Sequence, residues 1–145
     1  MPEMTGKSKE ELLSREVWQA SRTASAYLQW GVTLMISVQT ALFFIRHEIL
    51  TAEIDVGRLP KGSNLPLNRY LIGTAFLFFI AVVLSRFSAR ASEQYRHYKA
   101  QLIASRTSGI KDLPIKYVGR WSYLLYFAFP VIDVLVRGII SIRFD

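Results

Sequence analysis

Two stretches of this chain carry no charged side chain, and they restrict its folding more than any other feature. Residues 23–45, TASAYLQWGVTLMISVQTALFFI, run 23 positions without an acid or a base, and residues 70–85, YLIGTAFLFFIAVVLS, run 16. A helix in water needs a polar face. The second run has almost none, so lipid is its natural solvent, where each backbone N–H and C=O must be satisfied inside the helix. A third uncharged run, 121–132, covers 12 residues and continues apolar to 142, interrupted by Asp133 and Arg137. Overall composition conceals this pattern: 51% hydrophobic and 20% charged is only modestly greasier than a soluble protein.

The pattern predicts an all-α integral membrane protein: a helical hairpin with long cytoplasmic helix extensions, plus a third C-terminal helix that spans the membrane or lies in its interface. The expected segments are an N-terminal cytoplasmic helix at 1–22, a transmembrane helix at 23–45, an extracytoplasmic loop at 46–69 and a second transmembrane helix at 70–85. A basic cytoplasmic helix and linker follow at 86–120, and the third helix at 121–142. The opening sequence, MPEMTGKSKEELLSREVW, has no apolar run and does not resemble a cleaved signal peptide, so the first span is expected to target and anchor together.

Helix signals agree with this layout. Ser8 followed by Glu11 fits a capping box, and Leu13, Val17, Ala20, Ala24 and Leu28 then recur at steps of three or four. Nothing from Ser8 to Leu50 obliges this helix to stop. Gly57, Pro60, Gly62, Asn64 and Pro66 mark a turn-rich connection, and the second helix is expected to begin near Asn68. The uncharged window of that helix gives roughly 24 Å at 1.5 Å per residue, a little under the hydrocarbon thickness, and Arg69 and Arg86 can extend it by snorkelling to the headgroups. Tyr70 suits the interfacial aromatic belt. With no glycine or proline between the span and residues 86–105, the helix is expected to continue straight on. There Phe87, Ala91, Tyr95, Tyr98 and Leu102 form an apolar stripe, whose nearest cover is the Leu13, Val17 and Ala20 stripe of the first helix. Leu13, Val17, Phe87, Tyr95, Tyr98 and Leu102 are therefore the expected cytoplasmic interface. Ser108-Gly109 and Leu113-Pro114 read as a helix end and a linker.

Orientation follows from lysine and arginine. Twelve flank the two clear spans on the side shared by the N-terminus and 86–120, against four in the connecting loop. Basic residues mark the cytoplasmic side, so the expected location is the inner (plasma) membrane, multi-pass, with the N-terminus cytoplasmic. The formal charge of +7 is then explained by membrane orientation, and no specific nucleic-acid partner is expected. Arg86, Arg90, Arg96 and Lys99 form a surface suited to anionic phospholipids or an acidic partner.

Two polar features lie within the apolar segments. Gln29, Thr33, Ser37 and Thr40 line one side of the first span, with Gln39 beside them; they are expected to hydrogen-bond within the hairpin or to another subunit. Asp133 and Arg137 stand four apart, where they can pair with each other. Three placements compete for 121–142: spanning with that pair buried against a partner, lying in the interface, or entering and turning back at Pro130. These six residues, Gln29, Thr33, Ser37, Thr40, Asp133 and Arg137, are the expected intramembrane contacts.

Catalytic signatures are missing from the sequence. The chain has no cysteine, which excludes disulfides, thiolate nucleophiles and thiolate metal sites. HExxH, GxSxG, GxGxxG and phosphate-loop motifs are absent. His47, Glu48 and Glu53 make a poor metal set, because residues 47 and 48 point apart on a helix. His97 sits among Arg96, Tyr98 and Lys99 as a solvated or packed side chain, and Asp112 has no partner for acid–base work. No enzyme activity, cofactor or metal is expected. The expected function is a non-catalytic small membrane subunit that scaffolds or stabilises a larger inner-membrane complex, such as a secretion, transport or energy-converting machine, with other integral membrane subunits as partners. The alternative is a self-associating, holin-like pore.

Overall fold

The computed structural model describes residues 6–105 and 124–143. Asp112, the linker expected at 107–120 and the basic residues within it lie outside them. Among the described residues there are three helices: α1 at Gly6–Asp55, α2 at Leu67–Ser105 and α3 at Leu125–Arg143. Two of these, α1 and α2, are long and apolar enough to cross a membrane.

The helix ends follow from local chemistry. α1 runs to Asp55, further than the stop-free stretch ending at Leu50 required. It closes in a Schellman turn: Gly57 N donates to the Ile54 carbonyl at 3.0 Å and Arg58 N to the Glu53 carbonyl at 2.9 Å. Gly57 supplies the left-handed residue this turn needs, at φ 77°. α2 starts where Arg69 and Tyr70 both donate to the Pro66 carbonyl at 3.1 Å. Between them Glu53 accepts a hydrogen bond from Arg69 and lies 3.7 Å from Arg58, closing the connection electrostatically. The Arg69 bond holds the Glu53 carboxyl below its ordinary value of 4.5.

The chain packs as two compact units. The first takes α1 up to Trp30 and α2 from Ser85. Its core is Val17, Tyr95 and Leu102, with Leu13, Ala20 and Tyr98 packed against it. Spacings of three and four put these residues on facing stripes. Ala24, Ser88, Ala91 and Ser92 are also buried, and their small size lets the helices approach closely. Phe87 departs from the expected stripe. It is 51% exposed, and its neighbour Ser88 faces inward instead. One residue is a 100° rotation on a helix, so only one of the two can face the partner, and the smaller one does.

The second unit takes α1 from Gly31, α2 up to Leu84, and α3. Its apolar core is Met35, Leu65, Leu77, Ala81, Leu84 and Tyr126. Tyr126 lies flat against α1 at Gly31, where an added Cβ would meet its hydroxyl oxygen at 2.5 Å. α3 contains Pro130 and continues past it to Arg143, so of the three competing placements the turn-back at this proline does not occur. Proline removes one backbone donor, which bends a helix more readily than it ends it when neighbours hold both halves. Large apolar side chains of this unit, among them Phe43, Phe44, Ile72, Phe79, Val131 and Leu135, are exposed, while Thr74 and Asp133 are buried.

Candidate functional site

The most organised chemistry in the described residues surrounds Asp133, which is 2% exposed. Each helix supplies part of its cage. On α3, residues 126, 130, 133 and 137 recur at steps of four, three and four, so the side that buries Tyr126 and Pro130 also carries Asp133 inward. On α1, Gln39 and Arg46 are two turns apart on one face. On α2, Tyr70 and Thr74 are one turn apart, with Gly73 beside them.

Arg46 grips the carboxylate with both terminal nitrogens: Nη1 to Oδ1 at 2.7 Å and Nη2 to Oδ2 at 3.0 Å. The Thr74 hydroxyl donates to Oδ2 at 2.6 Å, and Gln39 Nε2 donates to Oδ1 at 3.1 Å. The Tyr70 hydroxyl donates to the Asp133 backbone carbonyl at 2.9 Å and lies 3.3 Å from Oδ1. Arg46 Nη2 also reaches the Tyr70 carbonyl at 2.9 Å, and the Arg46 guanidinium carbon sits 3.7 Å from the centre of the Tyr70 ring. Gly73 makes this approach possible. A Cβ there would stand 2.8 Å from Arg46 Nη2 and 3.2 Å from Leu42 Cδ2.

A carboxylate has about four lone-pair positions. Here they are taken by two arginine nitrogens, the Thr74 hydroxyl and the Gln39 amide, while the Tyr70 phenol gives its proton to the Asp133 backbone carbonyl. A group so fully engaged has little capacity left to accept a proton from a substrate, so its chemistry is that of a buried, bidentate ion pair tying three helices together.

Arg137 has a different role from the one its spacing suggested. The expected pair between Asp133 and Arg137 is not made. Asp133 pairs with Arg46, 87 residues away in sequence, while Arg137 Nη2 donates to the Leu65 carbonyl at 2.8 Å. The Arg137 guanidinium carbon also lies 5.4 Å from the centre of the Tyr70 ring. An i,i+4 pair needs both side chains to lean toward each other along the helix surface. Here a better bidentate partner meets the carboxylate from α1, and a backbone carbonyl claims the guanidinium. Tyr70, expected in an interfacial belt, has its ring near both arginines.

The polar stripe expected on the first span is a surface feature of α1. Gln29, Thr33, Ser37 and Thr40 all lie on the exposed side of α1. Ser37 and Thr40 bond back to the carbonyls of Thr33 and Ile36, both at 2.9 Å. Gln39, one position from Thr40, is the residue of this group that bonds across helices. Among the basic residues, Arg86, Arg90 and Arg96 are exposed, and Lys99 lies 5.9 Å from the centre of the Tyr95 ring. His97 is exposed and shares a 3.0 Å contact with Gln101. Among the described residues no three His, Cys, Asp or Glu side chains converge on a metal position.

Sequence reasoning missed Arg46, Gly73, Thr74 and Gly31. One signal for Arg46 was available. A lone acid in an apolar segment requires a cation, and Arg46 is the first charge after the longest uncharged run. Gly73 and Gly31 carried no such signal, because their role is to leave space for side chains from distant helices.

No known protein family, curated protein or solved structure matches this chain. Its class therefore rests on the architecture: an all-helical protein with two helices suited to crossing a membrane and a third bound to them through a buried ion pair.

Proposed function

We propose that this chain is a non-catalytic integral membrane subunit that scaffolds or stabilises a larger inner-membrane complex. Its second unit exposes many large apolar side chains along the helices while burying the Asp133 carboxylate, the arrangement expected where lipid is the solvent. In this reading 23–45 and 70–85 cross the membrane with the N-terminus in the cytoplasm. α3 forms a third span. Its 19 residues extend about 28 Å, close to the hydrocarbon thickness. Because Arg46 neutralises Asp133 from within the chain, α3 can enter lipid without borrowing a counter-charge from another protein.

The observation that carries the scaffold role is the exposed line of Gln29, Thr33, Ser37 and Thr40. Polar side chains on a spanning helix tend to face protein rather than lipid. Ser37 and Thr40 bond only to carbonyls of their own helix, so this exposed side can meet a neighbouring spanning helix. On the cytoplasmic side the exposed Arg86, Arg90 and Arg96 suit anionic headgroups or an acidic partner. Purification from the native host in mild detergent tests the reading. Co-purifying membrane subunits that are lost on replacing Thr33 and Ser37 with leucine are the expected result; a uniform monomer would refute it.

The same exposed hydroxyl line also supports a second reading, a homo-oligomeric, holin-like pore in which these residues wet the wall. Rapid dye leakage on expressing the chain alone, abolished by Gln29→Leu and Thr33→Leu, would favour the pore over the scaffold.

A further inference from the structure

A cleft of about 530 Å³ opens beside the Asp133 cage, lined by polar His47, Asn64 and Arg137 and by apolar Phe43, Phe44 and Val136. Its two arginines are electrostatically unequal. Arg46 spends its charge on Asp133. Arg137 has no carboxylate within ion-pair distance among the described residues; its hydrogen bond there goes to the neutral Leu65 carbonyl. The cleft therefore holds two guanidinium groups against one carboxylate, an excess of one positive charge. A half-buried cation without a counter-ion is costly in a poorly polar setting. An anion is the missing complement, and a guanidinium fork matches a phosphate in particular.

We infer that this cleft binds an anionic membrane phospholipid, with the phosphodiester on Arg137 and an acyl chain along Phe43, Phe44 and Val136. Three features favour a lipid over a free phosphate. The cleft is amphipathic, lined by both polar and apolar side chains. Its volume lies in the range of small-molecule sites. Asn64 and Leu65 belong to the connection between α1 and α2, and in the membrane placement proposed above, on which this inference rests, that connection lies at headgroup depth.

The test uses the full chain, purified in dodecyl maltoside and delipidated. Native mass spectrometry reads retention of dioleoylphosphatidylglycerol, of dioleoylglycerol with the same chains but no phosphate, and of inorganic phosphate. The expected result is one tightly retained phosphatidylglycerol, weakened roughly tenfold by Arg137→Gln, as loss of a charge-assisted bidentate contact predicts. Arg137→Lys, which keeps the charge but not the fork, should weaken it less, and Arg90→Gln should leave that tight lipid in place. Circular dichroism of each lipid-free variant establishes that the helices persist. Retention of dioleoylglycerol equal to that of phosphatidylglycerol, undiminished binding by a folded Arg137→Gln protein, or saturation by inorganic phosphate with no gain from the acyl chains would each overturn the inference. Fractionation separates it from the reading beneath it. A chain found in the aqueous fraction defeats the membrane placement, whereas a membrane-embedded chain without phosphatidylglycerol preference defeats this site alone.

Discussion

Replacing Asp133 with leucine should be the most damaging single change in the second unit, and replacing Arg46 with methionine as well should undo most of the damage. The carboxylate is 2% exposed and its partner side chain 14%, with contacts of 2.7 and 3.0 Å. Attraction between charge centres about 4 Å apart is worth about 4 kcal/mol at an effective dielectric of ~20. Desolvation of the two ions costs several kcal/mol, so the pair as a whole comes out near neutral. Removing one partner is another matter. Asp133→Leu leaves the Arg46 charge buried and deprives Thr74 and Gln39 of their acceptor, for an expected loss of about 3–5 kcal/mol. The Arg46→Met/Asp133→Leu protein should lie within about 1–2 kcal/mol of the parent, recovering roughly 2–4 kcal/mol of the Asp133→Leu loss. Reversible unfolding in mixed micelles with increasing sodium dodecyl sulfate, followed by far-ultraviolet circular dichroism, measures all four corners of the cycle. An Asp133→Leu cost below about 1 kcal/mol, or a double variant no better than the sum of the singles, would show that the pair does not hold the three helices.

Gly31→Ala should destabilise the second unit by about 1–3 kcal/mol, since the new methyl would meet the buried Tyr126 ring; Gly31→Ala combined with Tyr126→Phe should recover part of this, both read by the same unfolding assay. Gly57→Ala should cost about 1–2 kcal/mol without any steric clash, because the penalty comes from a side chain at φ 77° and nothing stands within 4 Å of an added Cβ; thermal unfolding reads it. For the Glu53–Arg69 contact, a carboxyl held below 4.5 when folded stabilises the fold fully above that pH. The contribution fades as pH falls through the lower folded value, and Arg69→Gln should return the Glu53 titration toward 4.5 in carboxyl-carbon NMR.

Much of the secondary structure was legible before any coordinates. Uncharged length marked the two helices suited to lipid. The unbroken stretch through 86–105 foretold that α2 would continue, and the Gly57 and Pro66 signals bracketed the turn. The facing stripes Leu13, Val17 and Ala20 against Tyr95, Tyr98 and Leu102 were readable because helical periodicity is a local property. The method erred at Phe87, where a hydrophobicity pattern preferred the greasier of two adjacent residues and close packing preferred the smaller.

The sequence alone determined which segments are helical, where two of them turn, and which faces of the first unit meet, since these depend on residues within a few turns of one another. Only the tertiary structure decided where the charges go. Asp133 had a plausible partner four residues away and took one 87 residues away. Ion-pair choice depends on which side chains arrive together with room to meet, and that room came from Gly73 on a third helix. The exposed side of α1 was undetermined for the same reason: its polar line is visible in the sequence, but whether that line faces inward depends on the rotation set by Gly31 against Tyr126 and by Arg46 against Asp133.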